Sequence, residues 1–297
     1  MKILRMIGLG LGALIILVVV LAISLLIAGW NAVHATASNP ITPLRVSPDS
    51  VLLARGEHLV LTNCVGCHGV DYHAPLTGSQ GDFFGGKDVP ALGRLYAPNI
   101  TPGGHLMHYS DAALGRAIRE GVDHDGHPLI VMPSGQMRGL SDRDLAAIIT
   151  WLRHQPAVQH DVPARQLTPL AYLLLGLHMV ETSHQLPVTV PVPDVPEGMT
   201  AEYGGYLLPY LGCRDCHGAD LHGGKPGQIA PVGPNLLKLV ATHDLQAFSL
   251  AVRAGISAND GHVLDAAKMP FPGFSRLTDT EVGALYTYLQ SLAKKGS

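Results

Sequence analysis

Two short motifs of the same spacing restrict this chain more than any other feature of its sequence. The stretch NCVGCHGVDYH begins at residue 63, and the stretch GCRDCHGADLH begins at residue 212. Together they contain every cysteine of the chain and one histidine after each pair: Cys64, Cys67, His68, Cys213, Cys216 and His217. Four cysteines in an exported protein usually form disulfides with three possible pairings, but a disulfide framework gives no reason for the histidines.

Three other uses of a cysteine pair make different demands on the surrounding sequence. A zinc site accepts two CxxC pairs, but the 149 residues between their first cysteines argue against one compact zinc-binding unit. A redox dithiol lies in a thioredoxin-like βαβ unit, and no such pattern surrounds either pair. Covalent haem attachment uses every element, because each sulfur adds to a haem vinyl group and the adjacent histidine lies on the proximal side of the iron. The sequence therefore predicts two covalently bound haem c groups with His68 and His217 as proximal ligands.

A second repeat downstream of each motif supplies a candidate for the other axial position. The segments IVMPSGQMRGLSDRDLAAIITWLRH and AKMPFPGFSRLTDTEVGALYTYLQS align without gaps, so Met132 matches Met269 at a shift of 137 residues. The shift at the cysteines is 149, which indicates an internal duplication with 12 extra loop residues in the first copy. Each methionine precedes a proline and a capped helix, and thioether ligation raises the potential of a haem. We therefore predict both methionines as distal iron ligands.

Other candidates for the distal position fit the duplication less well. Met137 lies close to Met132, but its counterpart Phe274 cannot bind iron, so we expect Met137 to fill the core. His73 and His222 follow the proximal histidines by five residues, which is too close for either to reach the opposite face of the iron. The histidines in the remaining loops and helix ends are expected to be exposed polar residues.

Short Pro-Asn motifs lie between the proximal and distal candidates in both copies. APNIT contains Pro98 and Asn99, and GPNLL contains Pro234 and Asn235. A backbone carbonyl at such a proline is a suitable acceptor for the Nδ1–H of the proximal histidine, which fixes the tautomer and raises the basicity of the ring. The asparagines are candidates for contact with a haem propionate or the backbone, with a plain Asx turn as an equal alternative.

The N-terminal segment has the composition of a membrane-spanning helix. Residues 6–29 carry no charge, Lys2 and Arg5 precede them, and the next charged residue is Arg45. A helix of 24 residues spans about 36 Å, enough for a hydrocarbon core of about 30 Å. Positive charge before the helix predicts a single-pass anchor in the inner (cytoplasmic) membrane, with the rest of the chain on the periplasmic side. A signal peptide cleaved near Ala37 is the alternative, but its apolar region would be only about 7–15 residues long.

Helix signals and loop composition divide the chain into five parts. These are an anchor at 1–30, a linker at 31–49, a first haem domain at 50–155, a Pro-rich linker with an apolar segment at 156–199, and a second haem domain at 200–297. Ser110, Ser141 and Thr278 have the positions of helix N-caps. Gly56 and its counterpart Gly205 each lie eight residues before the first cysteine of a motif, and Gly56 would allow a facing helix to approach closely. No alternating run predicts a sheet, so the predicted fold class is all-α.

One apolar stretch between the haem domains has no role in haem attachment. Residues 167–180, LTPLAYLLLGLHMV, are too short to cross a bilayer. We expect this stretch to pack on its own domain, on the membrane surface or on another subunit, because an exposed apolar patch of this size requires a cover.

These motifs resemble class I c-type cytochromes, present as two tandem domains after an N-terminal transmembrane helix. In the first copy LYAPNITPGG, ALGRAIREGVDHDGHPL and VMPSG are similar to the cytochrome subunits of membrane-bound bacterial alcohol, aldehyde and gluconate dehydrogenases. The resemblance covers 50–155 well and 200–297 at the level of cytochromes in general. It implies haem domains that pass electrons from a dehydrogenase subunit to the respiratory chain. Such subunits usually carry three haems and a C-terminal membrane-contacting segment, whereas this chain has two motifs and an N-terminal anchor.

Iron with both axial positions filled limits the function that the sequence predicts. No position remains for a substrate, which leaves outer-sphere electron transfer rather than catalysis. We expect a membrane-anchored dihaem carrier between a membrane or periplasmic dehydrogenase or quinol-oxidising complex and an oxidase, reaction centre or soluble cytochrome. A dihaem peroxidase that releases one methionine and an accessory subunit of a respiratory complex are the alternatives. A net charge of −3 provides no basic face for nucleic acid, and the sequence has no Rossmann, P-loop or nucleophile-elbow motif.

Overall fold

The structure is a computed structural model that describes residues 2–44, 46, 49–79, 81–84, 92–228 and 230–295. A long helix, α1 (Lys2–His34), is followed by two helical domains. The described strands are β1 (Gly93–Arg94) and β2 (Gln166–Leu167), which pair antiparallel over two residues each. The predicted all-α fold after an N-terminal apolar helix is confirmed. Three residues of the predicted linker at 31–49 lie outside the described ranges.

Each domain surrounds its CxxCH motif with a similar series of helices, and the second domain has one more described α-helix than the first. The first domain contains α2 (Ser50–Thr62), α3 (Val65–His68), a 3-10 turn (His105–His108), α4 (Asp111–Glu120), α5 (Ser134–Met137) and α6 (Asp142–Arg153). Between the domains lies α7 (Pro169–Gly176). The second domain contains α8 (Ala201–Tyr210), α9 (Cys213–His217), α10 (Leu236–Thr242), α11 (Leu245–Ser249) with a π-helical turn (Leu250–Ala254), α12 (Phe271–Phe274) and α13 (Asp279–Lys295).

Local capping explains where the helices near the haem motifs begin. Ser110 accepts a hydrogen bond from Ala113 N at the start of α4, and Ser141 accepts one from Asp144 N at the start of α6. Thr278 and Glu281 form a reciprocal capping box at α13, with Thr278 N donating to Glu281 Oε2 at 2.9 Å. The predicted caps are confirmed, and those at Ser141 and Thr278 fix the helices that follow the two Met-Pro pairs.

The first and last helices of each domain cross at a glycine. In the first domain, a Cβ at Gly56 would lie 1.9 Å from Ala147 O and 2.9 Å from Trp151 Cβ. In the second, a Cβ at Gly204 would lie 2.1 Å from Ala284 O and 2.8 Å from Tyr288 Cβ. The prediction of Gly205 as the counterpart of Gly56 is therefore wrong by one residue. The second copy has one extra residue before its cysteines, where Gly212 adopts a φ of 68°.

Substituting these neighbouring glycines distinguishes the two assignments. We expect Gly204→Ala to destabilise the second domain by about 1–3 kcal/mol, because the added methyl group overlaps the backbone of α13. Gly205→Ala should be close to neutral, since its Cβ meets only the ring of Tyr288, at 3.0 Å, and alanine gains helix propensity. Denaturant unfolding of both variants tests this, and equal destabilisation would contradict the assignment.

The segments predicted as linkers pack onto the first domain. Ala37 N donates to Gly126 O at 2.8 Å, and the buried Asn39 donates to Glu120 Oε2 at 2.7 Å. Glu120 also accepts a hydrogen bond from Val188 N at 2.8 Å, within residues 181–199 of the Pro-rich linker, which have no helix or strand. Both segments are therefore anchored to one buried carboxylate rather than free in solution.

Helix α7 packs on the C-terminal end of α1. The two helices approach so closely that a Cβ at Gly29 would lie 1.7 Å from Tyr172 O, and one at Gly176 would lie 2.0 Å from Leu25 O. A small apolar cluster surrounds this contact: Val33, Phe84, Leu92, Leu95, Ile130, Ala171 and Leu175. The apolar segment 167–180 thus packs both on its own domain and on the candidate anchor.

Candidate haem sites and the contact between them

Both CxxCH motifs form short helices that bury their histidines. In the first domain α2 ends before Cys64, and α3 carries Cys67 and His68. In the second, all of 213–217 lies in α9. His68 and His217 are each only 7% exposed, so each imidazole faces the interior of its domain.

A prolyl carbonyl fixes the orientation of each of these histidines. His68 Nδ1 lies 2.9 Å from Pro98 O, and His217 Nδ1 lies 2.8 Å from Pro234 O. Because a carbonyl only accepts, each Nδ1 carries the proton and each Nε2 presents a lone pair. Burial lowers the pKa of both imidazoles, against the opposing effect of the hydrogen bond to the carbonyl. Both rings are therefore held in the neutral tautomer that binds a metal ion through Nε2.

None of the four cysteines forms a disulfide, which leaves both pairs available for thioether attachment. Burial raises the pKa of Cys64 and of Cys213 to about 12, and it also raises the pKa of Cys67 and Cys216. Reactive dithiols have a lowered thiol pKa, so these pairs do not have the electrostatics of a redox dithiol. Over the described part of the chain, no three His, Cys, Asp or Glu side chains form a metal-binding group by themselves.

The two Met-Pro turns have the same backbone geometry. Pro133 has φ and ψ of −80° and 52°, and Pro270 has −77° and 50°. In each turn the methionine carbonyl accepts a hydrogen bond from the backbone N–H two residues later. The distance from Ser134 N to Met132 O is 2.8 Å, and that from Phe271 N to Met269 O is 2.7 Å. Both methionines are half-buried. Met137 is 3% exposed within the core, as its expected packing role requires. Iron ligation by the two half-buried methionines stays a prediction.

The candidate asparagines are occupied by the protein backbone. Asn99 Nδ2 donates to Val158 O at 2.9 Å and His160 O at 3.2 Å, and its Oδ1 accepts from Thr101 N at 3.0 Å. Asn235 Oδ1 accepts from Lys238 N at 2.8 Å and caps α10. Both Nδ2 protons of Asn99 are used in this way, so the structure favours a backbone role over a propionate contact there.

Three loop histidines of the first domain lie together, which the sequence did not predict. The ring centroids of His105, His108 and His124 are 5.6–5.9 Å apart, next to Tyr109. Burial is the main cause that lowers the pKa of His68, and the nearby imidazole of His105 adds to this lowering. In contrast, His73 and His222 are exposed and turn back to the backbone at Asp71 O and Asp220 O.

A buried polar cluster joins the two domains with approximate two-fold symmetry. His58 Nε2 lies 2.8 Å from Glu281 Oε1, and Tyr206 Oη donates to Asp144 Oδ2 at 2.7 Å. His58 and Tyr206 each lie two residues after the crossing glycine, and Asp144 and Glu281 occupy matching positions in α6 and α13. The duplicated domains therefore use the same two positions to contact each other. No signal in one sequence identifies these contacts, because the residue types differ.

Arg55 completes this cluster from the first domain. Its Nε and Nη2 each donate to Asp144 at 2.9 Å, and its Nη1 lies 3.6 Å from Glu281 Oε1. Burial acts to raise the pKa of both carboxyl groups. Hydrogen bonds from Arg55 and Tyr206 to Asp144, and from His58 to Glu281, outweigh that effect and lower both pKa values.

The symmetric contact brings the haem motif of each domain against the other domain. Asn63, just before Cys64, donates through Nδ2 to Tyr210 O, and Tyr210 Oη donates to Leu59 O at 2.7 Å. Gln136 follows the first Met-Pro pair and donates to Asp215 inside the second CxxCH motif. The other half of the contact is made by Arg276, which follows the second Met-Pro pair and donates to Leu61 O at 3.2 Å and Tyr72 O at 3.0 Å.

The lowered carboxyl pKa values predict acid sensitivity of the interface. A lowered folded-state pKa means that the unfolded chain binds protons first, so the contribution to stability is complete above the ordinary values of 3.8 and 4.5 and is lost as the pH falls through the lower folded values. We expect the denaturant concentration at the unfolding midpoint to decrease as the pH is lowered below about 4.5. Glu281→Gln should show a shallower fall, and parallel profiles for the two proteins would contradict this.

Comparison with known sequences identifies the family. The sequence profile of the cytochrome c family matches residues 53–156 and 202–293, which contain both CxxCH motifs and both Met-Pro turns. The chain belongs to the cytochrome c family. The prediction of two tandem cytochrome c domains is confirmed. The buried neutral histidines and free thiols fit covalently bound haem c, the group that this family carries.

Two curated relatives are dehydrogenase components. This cytochrome is 30% identical over 200 residues to one of the subunits of nicotinate dehydrogenase from Pseudomonas putida, in an alignment that covers 63% of this chain and 15% of that protein. It is 29% identical over 122 residues to the fructose dehydrogenase cytochrome subunit of Gluconobacter japonicus, covering 36% of this chain and 24% of that protein. The chain thus spans about a quarter or less of either relative. The predicted resemblance to dehydrogenase cytochrome subunits is confirmed.

Proposed function

We propose that this cytochrome is a membrane-anchored dihaem electron carrier. It receives electrons from a membrane or periplasmic dehydrogenase or a quinol-oxidising complex and delivers them to an oxidase, reaction centre or soluble cytochrome. The observation that supports this most directly is the reciprocal contact between the domains, in which each Met-Pro region lies against the CxxCH region of the other. Such an arrangement holds two redox centres at a fixed short separation.

Four residues in each domain would hold one haem. Cys64 and Cys67 would bind the first haem through thioethers, with His68 and Met132 as axial ligands. The corresponding set in the second domain is Cys213, Cys216, His217 and Met269. When bound, each haem supplies a one-electron couple that the protein tunes through axial ligands and burial.

The protein's own residues control access to the site. Pro98 O and Pro234 O hold the proximal histidines as neutral Nε2 ligands, and their hydrogen bonds increase ligand basicity. Met132 and Met269 would hold the iron from the opposite side, and no position would then remain there for a substrate. The chain's residues therefore support electron transfer and not catalysis at the iron.

The relatives indicate the kind of partner. The nicotinate dehydrogenase subunit and the cytochrome subunit of fructose dehydrogenase both belong to dehydrogenases. We propose that a dehydrogenase subunit donates electrons to this chain, and that α1 anchors it in the inner membrane with both haem domains on the periplasmic side. The 33 residues of α1 suffice by length and composition to cross a bilayer.

Carbon monoxide binding tests the carrier against the peroxidase alternative. We expect the reduced wild-type protein to keep its absorption spectrum under carbon monoxide, because both axial positions are filled, and to show no peroxide turnover with an electron donor. Met132→Ala serves as the positive control, since its open iron should bind carbon monoxide. Binding by the wild-type protein, or peroxide turnover, would favour an enzyme. Co-purification from native membranes then identifies the partner subunits.

A further inference from the structure

The contact between α7 and α1 determines how the haem domains meet the membrane. A domain joined to a membrane anchor by a flexible linker has no fixed orientation relative to the membrane. Here α7 returns from the end of the first domain to pack on α1 between Leu25 and Val33, and Trp30 lies 5.2 Å from Tyr172 between ring centroids. This inference rests on the proposed membrane anchoring by α1.

The length of α1 determines where this contact lies relative to the membrane core. A bilayer core of about 30 Å accommodates about 20 helical residues. With Lys2 and Arg5 on the cytoplasmic side, the core is spanned from residue 6 to about Leu25, and the last helical turns enter the headgroup layer. The residues that α7 contacts, including Gly29 and Trp30, therefore lie at the level where interfacial aromatics are enriched.

The outer face of α7 has the chemistry of an interfacial helix. Its sequence PLAYLLLG carries no charge. Ala171 and Leu175 are buried against α1 and the first domain, whereas Leu170 in α7 is 42% exposed, and Leu177 and Met179, which directly follow the helix, are 44% and 66% exposed. These exposed side chains continue the apolar surface of α1 beyond the membrane core.

Basic residues lie beside this apolar face. Arg94 lies in β1 opposite Gln166, and Arg165 directly precedes β2, the strand that leads into α7. Both arginines are exposed. Arginine at the edge of an interfacial helix contacts anionic headgroups, as lipid-bound amphipathic helices do.

We propose that α7 is seated in the headgroup layer of the bilayer and docks the first haem domain on the membrane surface. The apolar cluster that surrounds the contact includes Ile130, two residues before Met132. The first haem site is therefore held close to the membrane in a fixed orientation, and the bilayer is the cover of the apolar segment 167–180.

Depth measurements on the full-length protein test this placement. A nitroxide label would be attached to one introduced cysteine at a time. The three variants are Leu177→Cys at the C-cap of α7, Ile15→Cys in the middle of α1 and Leu186→Cys on the exposed linker. The protein would be held in nanodiscs of phosphatidylethanolamine with a minor fraction of phosphatidylglycerol. Haem-bound native cysteines do not react with the label. Wild-type protein treated with the same reagent should therefore carry no nitroxide, which serves as the control. Collision rates with oxygen and with a water-soluble nickel chelate then report the depth of each label.

The three labels give distinct results. We expect the ratio of oxygen to nickel collisions at 177 to lie several-fold above that at 186 and below that at 15. A ratio at 177 equal to that at 186, with 15 in the bilayer, would overturn the seating of α7 but leave the anchor intact. An aqueous signal at 15 would overturn both. An immobilised label at 177 that neither reagent reaches would show protein contact instead, and would also overturn the proposal.

A second variant ties the placement to the glycine contact. Gly176→Val adds side-chain atoms where a Cβ already lies 2.0 Å from Leu25 O, so it should separate α7 from α1. We expect the label at 177 to shift several-fold toward the aqueous ratio while the label at 15 is unchanged. No shift at 177 would show that α1 does not hold α7 at its depth.

Discussion

Replacing Met132 or Met269 by alanine is expected to lower the midpoint potential of one haem and leave the other nearly unchanged. Methionine ligation is the feature that raises the potential of a cytochrome c haem, and axial ligands span about 0.8 V, so a fall on the order of 100 mV or more is expected. Each variant should also bind carbon monoxide at one haem in the reduced state. Spectroelectrochemical titration of the two single variants measures both effects.

Two other methionines provide matched controls. Met137→Ala removes a side chain that is 3% exposed, so it should cost about 2–5 kcal/mol of stability without a large change in potential. Met107 is 66% exposed, and its replacement should change neither quantity. If Met137→Ala lowered the potential while Met132→Ala did not, the assignment of the first distal ligand would be wrong.

Replacing Asp144 by alanine is expected to cause the largest loss of stability in the interface. The change removes two hydrogen bonds from Arg55 and one from Tyr206, and it leaves the Arg55 guanidinium, whose side chain is 14% exposed, without its main counter-ion. Loss of one member of a buried ion pair costs about 3–5 kcal/mol. Denaturant unfolding of the haem-loaded protein measures the change.

An exposed ion pair in the second domain supplies the control. Asp279 lies 2.7 Å from Arg253, but its side chain is 81% exposed, so Asp279→Ala should cost less than about 1 kcal/mol. Weakening the interface through Asp144 should also disturb the relative positions of the haem sites, which slows electron exchange between them. Equal losses in the two variants would show that the polar cluster does not hold the domains together.

Much of the fold follows from local patterns. CxxCH, the Met-Pro pairs and the capped helices after them are short signals that repeat in both copies, so comparing the copies separates them from chance. The helix caps at Ser110, Ser141 and Thr278 depend on contacts within three residues, which is why they could be predicted. The acceptors at Pro98 and Pro234 could be proposed because both copies place a Pro-Asn motif between the proximal and the distal candidate ligands.

The features that could not be predicted depend on contacts between distant parts of the chain. His58 and Glu281 are 223 residues apart, and their counterparts are Tyr206 and Asp144, so residue identity does not reveal the symmetry. The crossing glycine was misplaced by one residue because the extra residue before Cys213 is visible only in the helix contacts. The role of Asn99 could not be known from the sequence, since its partners Val158 and His160 lie beyond the domain's last helix.

Intact mass of the denatured chain tests the central claim most directly. Covalent attachment at both CxxCH motifs predicts a mass equal to the polypeptide plus two haems, and a double variant with Cys64→Ala and Cys67→Ala should retain one. A wild-type mass equal to the polypeptide alone, or to the polypeptide with a single haem, would contradict the account of two coupled haem sites.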